Sequence, residues 1–402
     1  MLLDWLLYAV ALWAICLLIL LGIGILLSHI TLTTARRPSP KLDPIYKTHY
    51  VIRITYRVVV AITSAYCYVS IPVLAAVILV LSLIFLDAGI PAITLILWVQ
   101  LGIVFIGLFA PLKPREMLGR LITPSEAPQL WASLDAIAAH VGTRPVDEVY
   151  VAPTAIIGVM ERGSVLQKLI GRGQRRLVLG LGVLPGMTQH QFKAILAHEY
   201  GHFCHRDWVG GQMAIRIQHS IHQMILRLAV GRLDNWLNPA WIFIQIFYRV
   251  YLRITLGASR LQEIQADHRA AATYGPEHCI SALLHITRQN LTFKMHAPQK
   301  IERSMQTNLD CLNLYTLSHS RAETLPGFSS ALEKALNRPT SPYDSHPAVV
   351  ERIEFLASRP KTPDCEEKTD PVWMLFPNAE ALQEEMTRLL VSEVVEWKKK
   401  VM

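Results

Sequence analysis

The sequence predicts an α+β fold that is mainly α-helical, with N-terminal transmembrane helices followed by a domain containing a small β-sheet. Three observations lead there. Charge-free apolar runs open the chain at 5–28, 58–86 and 92–112. Short strand-like runs at 149–151, 155–160 and 177–181 suffice only for a small sheet. Helical periodicity marks 127–142, 188–203 and 378–400. With 402 residues, 52% of them hydrophobic, and a net charge of +8, the chain is too apolar for an ordinary soluble protein. It is long enough for a membrane region and one further domain.

Trp5 through Ser28 carries no charge for 24 positions, enough to cross a hydrocarbon core of ~30 Å. Met1-Leu2-Leu3-Asp4 has no basic residue and no Ala-x-Ala follows the run, so a retained anchor is expected rather than a cleaved signal. Residues 31–57 form a basic loop with Arg36, Arg37, Lys41, Lys47, Arg53 and Arg57. A hairpin of two apolar helices at 58–112 turns at Asp87–Pro91 and closes on Lys113, Arg115 and Arg120. Basic residues collect in cytoplasmic loops, so the 31–57 loop and everything after Lys113 should be cytoplasmic, after three crossings. The positive charge gathers beside apolar spans and no nucleic-acid-binding motif is present, so the expected partner is a lipid bilayer and not nucleic acid. Six scattered cysteines without a CxxC pair point to reduced thiols.

Thr188-Gln189-His190-Gln191 reads as a capping box that starts a helix after the breaker Pro185-Gly186. That helix carries His198-Glu199-Tyr200-Gly201-His202. Histidines four apart lie one turn apart on one face and can reach one metal ion, while Glu199 leans toward the open coordination position. Such a pentapeptide arises by chance in roughly three of a hundred chains of this kind, so its context decides. A strand, a turn and a capped helix supply the context of a zinc hydrolase, in which bound water ionises near neutral pH. A third ligand is needed, and Glu263 in Ser259-Arg260-Leu261-Gln262-Glu263 is the candidate. Asp267, one turn later, could hold the tautomer of a zinc-bound histidine. The plainer alternative is a solvated helix face bearing two acids.

The HEYGH motif, the run Ser259–Asp267 (S-R-x-x-E-x-x-A-D) and Ser345-His346-Pro347 with Arg352 six residues past His346 resemble the membrane-bound zinc metallopeptidases of the HtpX and CAAX prenyl endopeptidase type, over roughly 125–360. The resemblance implies a zincin-like metallopeptidase domain with one zinc ion held by His198, His202 and Glu263. It implies Glu199 as general base and then acid, and His346 as a contact to the oxyanion. Arg352 orients the site or pairs with Glu351 or Glu354. A histidine before proline is also a common helix entry. Too few apolar spans are present for the large chamber of the prenyl branch, so the likeness is to the HtpX side.

The strand 156–161, with Gly158, Val159 and Met160, is expected to be an edge to which a peptide substrate adds as a further strand, with an ordinary edge strand as the alternative. The family's Asn-Ala pair near this position is replaced by Ile157-Gly158, which leaves an asparagine contact unsupported. The expected units are a transmembrane helix at 1–30, the basic loop at 31–57 and the hairpin at 58–112. The zinc metallopeptidase domain at 113–358 and a linker and C-terminal helix at 359–402 complete the chain. Within the domain, the apolar stretch 209–258 contains arginines costly in a bilayer. Interfacial helices are expected there, with Trp236, Trp241, Phe243, Phe247 and Tyr248 at the lipid boundary, and a re-entrant hairpin is the alternative. Residues 318–330 could form a lid or a plain surface loop. The expected protein is a multi-pass integral protein of the bacterial inner membrane with a cytoplasmic catalytic domain, acting on unfolded or membrane polypeptides in quality control. A protease for one dedicated substrate and a non-catalytic zinc-binding scaffold are the alternatives.

Overall fold

The computed structural model describes residues 2–35, 58–64, 66, 73, 75–109, 118–163, 167, 172–204, 208–232, 234, 239–307, 313–316, 325–360 and 370–401. Most of the basic 31–57 loop, residues 318–324 of the suggested lid, Trp236 and residues 361–369 of the expected linker lie outside the described residues.

The N-terminal run forms α1 (Leu2–Ala35). Two shorter apolar helices, α2 (Ala75–Asp87) and α3 (Pro91–Phe109), meet at a tight turn where Gly89 takes a positive φ of 73°. Among the described residues one helix is long and apolar enough to cross a membrane, through Tyr8–Ile30.

A four-stranded mixed sheet follows: β1 (Arg120–Ile122), β2 (Glu148–Ala152), β3 (Ile157–Arg162) and β4 (Gln174–Gly180), in spatial order β1-β2-β4-β3. β2 and β4 pair in parallel, and the outer strands pair antiparallel. β4 is buried over all but its first residue because it lies inside the sheet, whereas β3 is half-buried at a free edge. β1 was not expected from the sequence, since three residues are too few to show a period. The amphipathic helix α4 (Pro128–Val141) lays Leu130, Leu134 and Ile137 into the core and ends at Gly142 in the left-handed region.

The motif helix α5 (Gln189–Cys204) starts at the expected capping box. The Gln191 N–H donates to Thr188 Oγ1 at 3.3 Å, and the Thr188 N–H donates to Gln191 Oε1 at 3.0 Å. After α6 (Trp208–Val230) comes α7 (Pro239–Tyr274), a single helix of 36 residues. The apolar stretch ending at 258 and the acidic motif after it are therefore one rigid element. α5 crosses α7 closely at Gly201, where an added Cβ would meet Ala266 Cα at 3.1 Å. Next come α8 (Pro276–Thr307), α9 (Phe328–Asn337) and α10 (Val349–Ala357).

The C-terminal helix α11 (Ala379–Val401) buries Leu382 and Met386 in the same core as the sheet, α4 and α5. The segment ahead of it returns to the start of α5, where the Gln189 N–H donates to the Asp370 carbonyl and the Val372 N–H to the Met187 carbonyl, both at 2.9 Å. The described residues 370–401 thus join the main core.

The helices α6 and α7 pack side by side through Ile217, Ile221, Met224, Leu228, Ile244 and Tyr251, joined by Ile103 of α3. Trp241, Phe247 and Tyr248, expected at a lipid boundary, pack against this cluster. The first half of α7 also runs along α1, where Leu27 and Ile254 are buried together. The apolar faces of these helices thus bury one another in part.

Candidate metal and catalytic site

Two helices bring the site together. α5 presents His198 and His202 one turn apart, and α7 presents Glu263 toward them. His198 Nε2 lies 3.2 Å from Glu263 Oε2, and His202 Nε2 lies 3.5 Å from Glu263 Oε1. One ligand atom from each side chain lies within 4.8 Å of the other two. Among the described residues the buried Glu263 Oε2 finds no hydrogen-bond partner, although an imidazole nitrogen faces it. Two imidazoles and a carboxylate converging without hydrogen-bond geometry fit a shared cation, and that donor set is the one zinc takes in open sites.

Asp267 Oδ1 lies 2.8 Å from His198 Nδ1, the nitrogen turned away from Glu263. Arg352 grips Asp267 with two bonds, from Nε to Oδ2 at 2.7 Å and from Nη2 to Oδ1 at 2.6 Å. It therefore pairs neither with Glu351 nor with Glu354. Glu351 instead accepts from Thr340, while the guanidinium reaches 3.9 Å from Glu263. A bidentate arginine–carboxylate pair fixes both planes and so fixes the imidazole that the carboxylate holds.

The electrostatics follow from burial among charges. Burial pushes Glu199 up to about 7 against the pull of His198. Burial and the neighbouring His198 hold His202 down at about 4. Burial alone would raise Glu263, but His198 and the other cations outweigh it and hold the carboxyl at about 2. Asp267 resists burial in the same way through Arg352 and His198 and sits well below the usual carboxylate range.

His346 enters from the loop before α10. Its Nε2 lies 3.3 Å from Glu263 Oε1, and its Nδ1 shares a 2.8 Å hydrogen bond with Ser345 Oγ. The edge strand β3 borders the site, and the Val159 N–H donates to Glu199 Oε2 at 3.1 Å. That contact shows Val159 turning its backbone off the free edge. A cavity of about 820 Å³ holds all of this, and its far wall is one face of α8, including Ala282, Ile286 and Asn290. Gly158 and Val159 line the cavity, while Met160 lies one residue further along β3. The α8 wall was missed in the sequence, because a helix that is apolar at one face signals burial and not which cavity it borders.

A protein-family model described as Peptidase family M48 matches residues 158–360. A relative named Protease HtpX homolog, from Methanothermobacter thermautotrophicus, is 24% identical over 166 residues, covering 41% of this chain and 60% of the relative. Another Protease HtpX homolog, from Desulfotalea psychrophila, is 24% identical over 193 residues, covering 40% of this chain and 67% of that relative. The chain thus spans about 60% of the length of the first of these relatives. No solved structure matches.

Proposed function

The chain belongs to peptidase family M48, and from that premise we propose that it is an integral membrane, zinc-dependent endopeptidase of the HtpX-like kind. The observation that carries this reading is the convergence of His198, His202 and Glu263 on one point beside Glu199, at the edge of a sheet.

His198, His202 and Glu263 would hold the zinc, and Asp267 with Arg352 would orient His198. Zinc bound there supplies Lewis acidity toward a water and a peptide carbonyl. Glu199 takes a proton from that water as it attacks the carbonyl carbon, and returns it to the amine nitrogen as the C–N bond breaks. One water is consumed, leaving a carboxyl and an amine terminus. The His346 N–H faces the developing oxyanion. A substrate strand lies against Gly158, Val159 and Met160 and takes up the free backbone groups of β3, displacing the contact between the Val159 N–H and Glu199. α1 anchors the chain in the bilayer, α2 and α3 add a hairpin, and the catalytic domain faces the cytoplasm. The substrates are unfolded or membrane polypeptides, as in quality control.

The test is cleavage of casein by the full-length protein in detergent, with zinc content measured per chain. Wild type should cut. Glu199→Gln should lose about 10²–10⁴-fold in rate while keeping one zinc, and a chelator should abolish cleavage. Activity that survives Glu199→Gln would sink this mechanism. Zinc without cleavage in any sample would favour a dedicated substrate or a non-catalytic scaffold.

A further inference from the structure

His346 poses a positioning problem. Its side chain is 59% exposed, so neighbouring atoms do little to hold the ring, yet it must stand at a set distance from Glu263. An exposed side chain is placed by its backbone. The loop that carries it, Ser341–Pro347, is held from both ends. At the outer end, Thr340 Oγ1 donates to Glu351 Oε2 at 2.8 Å and accepts from the Ala348 N–H at 2.6 Å. In the middle, Asp344 accepts from the Ser341 N–H at 2.7 Å and pairs with Arg338.

The inner hold comes from Arg260, which is 2% exposed and sits on α7 one turn before Glu263. Its Nη1 donates to the Pro342 carbonyl at 3.0 Å and to the Asp344 carbonyl at 2.7 Å. Asp344 is two residues before His346. Arg260 Nη2 lies 3.4 Å from Ser28 Oγ, and Ser28 in turn donates to the Arg253 carbonyl, also on α7, at 2.9 Å. Hydrogen bonds from a guanidinium to carbonyls are charge-assisted and directional, stronger than neutral ones.

We propose that Arg260 is a positioning residue that sets His346 against the substrate carbonyl, and that through Ser28 it refers this placement to the N-terminal helix α1. This rests on the metallopeptidase reading above. The metal ligand Glu263 and the loop clamp Arg260 share one helical turn of α7. The spacing between ligand and oxyanion contact is therefore set by a rigid element and not by loop folding alone. A misplacement near 1 Å can cost up to ~10²-fold in rate, so a clamp of this kind acts on kcat without touching substrate.

The experiment uses the zinc-loaded full-length chain in detergent, with kcat and KM measured separately on an unfolded fluorogenic peptide. His346→Ala should lower kcat on the order of 10²-fold. Arg260→Met should lower kcat about tenfold with one zinc per chain retained and little change in KM. Arg260→Lys, which keeps a donor, should recover part of that loss. In the His346→Ala background Arg260→Met should cost less than about twofold more, because a residue acting through another is not additive with it. Amide hydrogen exchange adds a readout independent of activity: residues 341–347 should exchange about tenfold faster in Arg260→Met, with the rest of the pattern unchanged. The proposal is overturned if Arg260→Met keeps wild-type kcat, if its loss persists in full without His346, or if exchange in 341–347 does not change. Should Arg260→Met fail to fold, the same cycle and exchange measurement on Arg260→Lys decide, with a loss of about threefold expected and the same overturning outcomes. Wild-type cleavage that survives Glu199→Gln sinks the metallopeptidase reading instead, and exchange still tests whether Arg260 holds the loop.

Discussion

The half of the molecule around the sheet and the half made of apolar helices differ in what they leave exposed and in the polar groups they bury. Around the sheet, Leu177, Leu179, Phe192 and Tyr200 are almost fully buried, and the buried carboxylates of Glu263 and Asp267 belong to a paired network with His198 and Arg352. In the helical half, Trp5 is 72% exposed, Leu18 67% and Leu95 66%, while Ser28, Thr63 and Ser64 are fully buried. Hydroxyls between helices find carbonyls or each other: Thr63 Oγ1 donates to the Val59 carbonyl and Ser64 Oγ meets the Tyr251 hydroxyl, both at 2.7 Å. In the bilayer proposed above, small and hydroxylated residues would mediate helix contact and large apolar ones would face outward. α7 passes from one regime to the other within one helix, carrying Tyr251 and Thr255 in its first half and Glu263 and Asp267 in its second. A charge is tolerated in the sheet half because its partners are fixed, and a hydroxyl suffices in the helical half because little else would be satisfied there.

That contrast can be broken most severely at Arg352. Arg352→Met leaves Asp267 buried without its bidentate partner, a class of change that costs about 3–5 kcal/mol. Loosening of His198 should lower zinc affinity about 10–100-fold. Denaturant titration and zinc competition measure the two effects, and a variant as stable as wild type would show that the network is not a structural unit. A smaller effect is expected in the helical half at Gly24, where a Cβ would meet Ile254 Cδ1 at 2.5 Å. Gly24→Leu should push α1 off α7 at about 1–3 kcal/mol, read as a lower melting temperature in detergent with zinc content unchanged. Loss of zinc in that variant would mean that the two halves are not separable.

Tyr251→Phe removes the hydroxyl shared with Ser64 and should cost only about 1 kcal/mol, the usual net size of one hydrogen bond. A loss as large as that of Arg352→Met would erase the distinction between the halves. The smallest effect is a pH slope in the sheet half. The Thr123 backbone N–H and hydroxyl, then Arg120, hold Glu126 at about 2 against an ordinary value of 4.5. A depressed carboxyl contributes stability above its unfolded pKa, and that contribution is lost as pH falls from 4.5 toward about 2. The stability difference between wild type and Glu126→Gln should therefore shrink over that window. A difference independent of pH would remove the assignment.

Much of the candidate site was legible in the chain because local chemistry wrote it. His198, Glu199 and His202 follow from helical spacing alone, and the Thr188–Gln191 capping box marks where that helix starts. Glu263 and Asp267 also sit one turn apart on a helix, and they meet the histidines as expected. Arg352 was legible as a member of the site, but its partner was not, because Glu351 and Glu354 are nearer in sequence than Asp267. The short strand β1, the continuity of α7 past 258 and the return of α11 into the core leave no local signature.

By itself the sequence determined whatever depends on neighbours a few residues apart: apolar length, helical faces, caps, and the pairing of two histidines on one turn. The tertiary structure alone decided which distant groups meet. It set α1 against α7, placed β3 beside Glu199, and brought the carbonyls of Pro342 and Asp344 to Arg260. The reason is physical: periodicity reports which face of an element is buried, whereas the identity of what covers that face comes from long-range packing that no local pattern encodes.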